Sequence, residues 1–338
     1  MKSIAVFNNK GGVGKTTLLC NLASYLSLRK GKKVLVIDAD PQCNTSSYVL
    51  DENQFFEVYY NDYPKVFTIV DLIPPLEDGS GFINGFDITM SRFFGFDIIP
   101  GNPRFAVSED FLAQEWKDVK SSDIRGIKST MLFIRLLDLC KDYDYVFFDM
   151  GPSLGAINRS ILLACDFFIT PMSSDVFSLL ALGNIGESIR KWSRMFNNGI
   201  MALEEEKRKQ LDGMRKECRI KFLGYVEQQY ITKNTDGKAR AVKAYDNILK
   251  KIPREIDDKI IKPINCNIDA SIDYKIGSIP NFYSLVPMSQ TSHKPIFELL
   301  NSDGVVGAHY QKVKDYDILM NSISARMMDN EKVIEDND

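Results

Sequence analysis

The chain has 338 residues, 44% of them hydrophobic and 26% charged, with a formal net charge of −3. That balance supplies ample core and excludes a chain coated in basic residues, so any nucleic-acid surface must be a local patch. Six cysteines (Cys20, Cys43, Cys140, Cys165, Cys218 and Cys266) stand far apart without a C-x-x-C pair, and His293 and His309 are the only histidines. This pattern reads as buried thiols in a reducing compartment and excludes a disulfide frame or a histidine-based metal centre.

The first apolar burst, residues 4–7, is too short for a signal peptide, and no stretch approaches the roughly 18 apolar residues of a membrane span. A cytoplasmic protein is expected. Asn8-Asn9-Lys10-Gly11-Gly12-Val13-Gly14-Lys15-Thr16-Thr17 follows and opens onto a helical pattern over 16–29. Strand, glycine-rich turn and helix N-terminus form the setting of a phosphate-binding loop. Glycines let successive N–H groups turn inward, and the helix dipole adds positive potential. Gly11, Gly12, Val13, Gly14, Lys15, Thr16 and Thr17 are the expected cradle. Lys15 reaches the β- and γ-phosphates, and the Thr16 hydroxyl holds Mg²⁺. The strict pattern G-x-x-x-x-G-K-[ST] fails by one residue, because Asn stands at position 9. Asn tolerates left-handed backbone, so a turn is expected there too.

The second strand, 34–37, runs into Asp38-Ala39-Asp40-Pro41-Gln42, which places carboxylates at the edge where such sheets bind ligands. Later strands are expected at 96–99, 145–148, 167–170, 222–226 and 284–286. Helices are expected at about 126–141, 156–164, 177–196, 238–251, 293–301 and 308–327. The 145–148 strand ends in Asp149, a Walker B arrangement in which the carboxylate holds Mg²⁺ through water. Continuous apolar strands alternating with helices predict an α/β fold with a mostly parallel sheet covered on both faces. Residues 51–64 (aromatic and acidic), 77–94 (rich in Gly and Phe) and 199–219 (a charged helical stretch) read as insertions. One elaborated domain over 1–328 and an acidic disordered tail over 329–338 complete the expectation.

Lys10-Gly11-Gly12-Val13-Gly14-Lys15-Thr16, with its second lysine, resembles the deviant Walker A loop of the ParA/MinD family of P-loop ATPases. Asp38-Ala39-Asp40-Pro41-Gln42 is similar to that family's D-x-D-P-Q segment. Ile169-Thr170-Pro171-Met172 followed by Asp175 is similar to its dimer face, and Lys294-Pro295-Ile296 to the element before its last helices. The resemblance implies a P-loop NTPase fold, ATP and Mg²⁺, and an ATP-dependent homodimer in which Lys10 reaches the partner's nucleotide. It implies Lys10, Lys15 and Asp40 as catalytic residues, Asp40 positioning the attacking water, and Thr16, Asp38 and Asp149 around the metal. Two departures stand out: Gly151 replaces a proline, which should loosen the backbone after Asp149, and Asp175 stands where glutamate is commoner. Gln228 and Gln229 are the amides nearest an expected adenine contact.

Partition ATPases of this kind bind DNA without sequence preference, associate with the nucleoid, and are released when a ParB-like partner protein stimulates hydrolysis. Residues 233–262 hold nine basic residues (Lys233, Lys238, Arg240, Lys243, Lys250, Lys251, Arg254, Lys259, Lys262) against five acidic ones. They could meet DNA, and a mixed run of this kind equally describes a solvated helix face. A MinD-like scaffold acting on a membrane or a protein assembly is the alternative. The last helix has the apolar stripe this needs, Tyr310, Val313, Tyr316, Leu319, Ile323 and Met327, but the acidic residues after it would be repelled by anionic lipid, so membrane binding is not expected. An iron–sulfur relative would need cysteine near 150–152, where Met150-Gly151-Pro152 stands.

Overall fold

The computed structural model of the chain describes residues 1–60, 65–173, 175–230, 248, 250–265, 268, 272–282 and 284–337. Eight strands form one sheet in the order β3-β4-β2-β5-β1-β6-β7-β8. They are β1 (Lys2–Val6), β2 (Val34–Asp38), β3 (Thr89–Met90), β4 (Asp97–Ile99), β5 (Tyr145–Asp149), β6 (Phe167–Ser173), β7 (Lys221–Tyr230) and β8 (Lys275–Pro280). All pairings are parallel except that of β3 with β4. The helices of six or more residues that matter below are α1 (Lys15–Lys30), α2 (Asn44–Val49), α3 (Glu52–Tyr60), α4 (Ser108–Val119), α5 (Ile124–Thr130), α6 (Leu132–Leu139), α7 (Ala156–Ala164), α8 (Val176–Met201), α9 (Leu285–Ser292) and α10 (His309–Asn337).

Alternation along the strands divides the core in two. Ala5, Leu35, Ile37, Val146 and Phe148 face one cluster, with the apolar faces of α4 to α8. Ile4, Val6, Val34, Val36 and Phe147 face the other, with α1 and α10. Both faces are therefore dry, as the continuous apolar strands require.

Several boundaries differ from the sequence reading. Residues 284–286 begin α9 rather than a strand, with Pro287 tolerated in the first helical turn. The eighth strand is instead β8, whose Lys275-Ile276-Gly277-Ser278-Ile279-Pro280 has too few apolar residues to announce itself and lies at the sheet edge, where Pro280 is permitted. The helix expected at 126–141 breaks at Met131 into α5 and α6. The helix expected at 293–301 is reduced to two 3₁₀ turns, Ile296–Glu298 and Asn301–Asp303, because Pro295 cannot continue α9. The charged stretch at 199–219 is helical only over Glu205–Lys209 beyond the end of α8, and buried Leu203 and Leu211 anchor it. Most of the helix expected at 238–251 lies outside the described residues, as do Lys233, Lys238, Arg240 and Lys243.

The tail expected to be disordered is helical over its described residues, 329–337. α10 continues to Asn337, and the stripe Ile323, Met327 extends through Asn330 and Glu331 to Ile334, all buried. The spacing of three and four residues keeps them on one face. Asn330 Nδ2 donates to the carbonyls of Leu223 and Asp273, both at 3.0 Å, and the Tyr145 hydroxyl donates to Glu331 at 3.0 Å. Composition suggested a solvated tail because these polar residues satisfy each other only across the fold. Ile334→Ala is expected to cost about 2–5 kcal/mol in chemical denaturation; an unchanged midpoint would restore the disordered tail.

Candidate nucleotide site

The site lies at the C-terminal ends of β1, β2 and β5, the central strands of the sheet. After β1 the chain turns through Asn8, whose side chain donates to the Pro171 carbonyl at 2.8 Å and accepts from the Lys10 N–H at 3.0 Å. Gly12 (φ 70°) and Gly14 (φ 74°) supply the left-handed positions of the loop. Asn9 does not, so the turn expected from its left-handed tolerance falls to the glycines instead. Gly14 caps α1 with no side-chain hydrogen bond and no acidic residue in the first turn, which leaves the helix N–H groups and dipole available to an anion. The loop opens on a cleft of about 810 Å³. Gly11, Gly12, Val13, Gly14, Lys15, Thr16 and Thr17 form its floor, and Asp40, Gln42, Gln290, Thr291 and His293 also line it.

Lys15 is 8% exposed, and its ammonium lies 3.3 Å from the Lys10 carbonyl. Burial lowers its pKa, against the opposing pull of Asp149 and Asp40. A phosphate would relieve that desolvation. Asp40, on the switch after β2, accepts from the Gln42 N–H at 3.0 Å. Behind the floor, Asp149 accepts from the hydroxyls of Thr16 and Thr45, each at 2.7 Å. Burial pushes Asp149 up, the two threonine hydroxyls oppose it, and Asp40 adds repulsion.

Asp38 pairs with Asp149 in the β2–β5 register, but its carboxylate turns to α2, accepting from the Ser46 N–H (2.8 Å) and hydroxyl (2.6 Å). It is fully buried, and burial followed by the charge of Asp149 pushes it up to about 8. One oxygen of each carboxylate, Oδ1 of Asp38 and Oδ1 of Asp149, is buried without a hydrogen-bond partner among the described residues. Hard oxygen donors with a spare lone pair beside a phosphate floor suit Mg²⁺, which binds few protein ligands and completes its octahedron with water and phosphate. Among the described residues no group of three or more His, Cys, Asp or Glu side chains could hold a metal. Thr16 and Asp149, bonded to each other, could hold Mg²⁺, whereas Asp38 is bonded to Ser46.

Lys10 lies apart from its own cleft. Its ammonium forms an ion pair with Asp175 and donates to the Ser173 hydroxyl at 3.2 Å. Asp175 is the N-cap of α8, accepting from the Ser178 N–H at 3.1 Å. Burial raises its pKa, but hydrogen bonds from Lys10, Ser173 and the Ser178 backbone outweigh that and hold it below the ordinary carboxylate value. Beside it, Val176, Phe177 and Leu180 are exposed at 54%, 72% and 63%, an apolar surface next to the lysine.

The segment after Asp149 is pinned rather than loosened by Gly151. Asn158 donates to the carbonyls of Gly151 and Ser153, both at 2.7 Å, and Glu109 of α4 accepts from the N–H groups of Ala156 and Ile157. A Cβ at 151 would come within 3.4 Å of the Asp40 carboxylate, so glycine keeps that approach open.

Residues 1–202 match the family model described as "AAA domain". The chain belongs to that family. It is of the ParA/MinD type, as its relatives and fold neighbours agree. It is 28% identical to sporulation initiation inhibitor protein Soj of Bacillus subtilis over 202 residues, 59% of this chain and 69% of Soj. It superposes on protein DIP2308 of Corynebacterium diphtheriae with a TM-score of 0.69 and 25% identity, covering 98% of both chains. A plasmid partition protein of Borrelia burgdorferi bound to AMPPNP shares the fold at a TM-score of 0.56 and 21% identity, covering 97% of this chain and 98% of that one. The chain spans just under two thirds, 65%, of the length of other curated relatives.

Within this ParA/MinD-type site, sequence reasoning missed Thr45 and Ser46, which hold Asp149 and Asp38. The polar run Asn44-Thr45-Ser46-Ser47 directly after the switch was the available signal. It also missed Gln290, Thr291 and His293, which topology alone brings to the cleft. Gln228 is buried beside Gly14, with its Nε2 unpartnered among the described residues, so that amide lies against the phosphate loop.

Proposed function

We propose that this ParA/MinD-type protein is an ATP-switched positioning ATPase that dimerises on ATP and hydrolyses it to ADP and phosphate with Lys10 acting in trans. The observation that carries the reading is a phosphate loop with two lysines, of which Lys15 serves its own cleft and Lys10 is held outside it beside an exposed apolar face. In the dimer, Lys10 leaves Asp175 for the partner's triphosphate, and Val176, Phe177 and Leu180 are covered. Lys15 and the loop N–H groups neutralise the phosphates, and Asp40 orients the water that bonds to the γ-phosphorus as its bond to ADP breaks, the water's proton passing to the phosphate product. Mg²⁺ would be held by Thr16 and Asp149, and it would supply charge neutralisation to the triphosphate. Positioning and electrostatics suffice for phosphoryl transfer to water.

The ATP dimer binds DNA without sequence preference in this reading, and a ParB-like partner releases it by stimulating hydrolysis. Of the described part of the basic window, Lys250 and Lys251 are exposed, whereas Arg254 pairs with Asp258 and Lys262 with Asp257 and Asp258. Mass determination with ATP and Mg²⁺ tests the switch: twice the 38.4 kDa protomer mass is expected, and a monomer at saturation overturns it. Anisotropy with duplex DNA tests the matrix. About five phosphate contacts give a log–log salt slope of roughly −4.5, so affinity should fall several hundredfold between 50 and 200 mM salt. An ATP dimer indifferent to DNA would move the cargo to a protein assembly, with α3 and its exposed Phe56 and Tyr60 as the surface to examine.

A further inference from the structure

We propose, on the reading of Asp40 given above, that Glu109 is a positioning residue for ATP hydrolysis. From α4 it fixes the start of α7 and, through it, the backbone that passes the Asp40 carboxylate. α7 begins without a cap of its own. Its N-cap is Gly155, which has no side chain to meet the first free N–H groups, and Glu109 supplies both acceptors. Its Oε1 accepts from the Ala156 N–H and its Oε2 from the Ile157 N–H, the latter at 3.1 Å. The dipole of α7 favours a carboxylate at that end as well. Glycine at 155 is a condition of the contact, because a Cβ there would collide with the Glu109 carboxylate.

The start of α7 is in turn tied to the segment after Asp149. In the first turn of α7, buried Asn158 donates to the carbonyls of Gly151 and Ser153, both at 2.7 Å. Gly151 passes so close to Asp40 that its Cβ would stand 3.4 Å from the carboxylate, and Pro152 lines the cleft beside Gly11 of the phosphate loop. Residues 151–155 therefore run from Asp40 to a helix start that Glu109 grips, and a shift of that start is passed to the cleft where water must be placed. Glu109 is not among the described residues that line the cleft, so it acts through this backbone and not on the phosphates. Other contacts keep α4 and α7 together. The Arg159 guanidinium of α7 lies 4.4 Å from the ring centroid of Trp116 in α4, and Leu112, Trp116, Ile157 and Ile161 share one core cluster. Loss of Glu109 thus leaves the two helices packed and frees only the first turn.

Steady-state ATP turnover, together with amide hydrogen exchange of residues 150–158, tests this in Glu109→Ala, Gly155→Asp and the double variant of the full chain. Gly155 has extended backbone, φ −80°, ψ −171°, which suits an aspartate N-cap. With Glu109 removed, that aspartate has room to bond α7 from within. Glu109→Ala should lower kcat by about 10–10²-fold, the cost of an ångström-scale misplacement, with KM for ATP within about twofold of native and faster exchange over 150–158. Gly155→Asp alone should also be slow, because its side chain meets the Glu109 carboxylate. The double variant should recover to within about threefold of native in kcat and in exchange, a sign reversal that only coupled residues show. Native turnover in Glu109→Ala, a rise in KM in place of the fall in kcat, or a double variant no faster than Glu109→Ala would each overturn the positioning role while leaving the ATPase reading intact. A native chain that hydrolyses no ATP overturns that reading and this role with it.

Discussion

Lys10→Ala is expected to lower ATP turnover by about 10³-fold while leaving ATP bound, because a cation delivered across an interface is worth ~10³–10⁵ in rate in enzymes that use an arginine finger. The Lys10 ammonium is held outside its own cleft by a half-buried ion pair with Asp175, the two side chains 32% and 28% exposed, and by a hydrogen bond to the Ser173 hydroxyl, so release toward a partner breaks both contacts and gains a triphosphate. A mixing experiment separates cis from trans action. Lys15→Ala chains, which keep Lys10, should restore turnover to Lys10→Ala chains, since a mixed dimer holds one complete site. Undiminished phosphate release from Lys10→Ala alone, or no rescue on mixing, removes the trans lysine.

Asp40→Ala is expected to reduce hydrolysis by roughly 10²–10⁴-fold, the usual worth of a positioned acid–base side chain. It should do so with the opposite structural signature: the dimer forms on ATP and persists, because the residues gripping the phosphates are untouched. The geometry favours this separation. Asp40 lines the cleft wall and is fixed by the Gln42 N–H, whereas Asp149 and Asp38 lie behind the floor and engage Thr16, Thr45 and Ser46. Mass determination beside phosphate release reads both effects. A variant that hydrolyses normally, or one that fails to dimerise on ATP, would assign Asp40 another role.

The central fold and the phosphate loop were legible because their signals are local. Residues 4–7, 34–37 and 145–148 are continuous apolar runs, and all three lie in the middle of the sheet where both faces are dry. The cradle residues follow one another in the chain, so spacing alone assembles them. What was not legible depends on distant partners. β8 takes its identity from β7 rather than from its own mixed residues, and Glu331 reads as tail until Tyr145 is seen beside it. His293 reaches the cleft through contacts with Tyr48, 245 positions away. Gly151 was read as a loosening, yet Asn158 seven residues later holds its carbonyl.

The place of β1 in the sheet carries a consequence for biosynthesis. This strand is made before its neighbours β5 and β6, so Lys2 waits for Tyr145 and Ile4 for Phe167 before either edge is bonded. Residues through Phe167 must emerge before the phosphate loop has a rigid strand behind it, and Ile334 must clear the exit tunnel before the opposite face is sealed. Contacts so remote in sequence make folding slow and leave apolar edges open meanwhile. Nascent chains halted before residue 145 should therefore be digested rapidly by protease, and released full-length chains should resist.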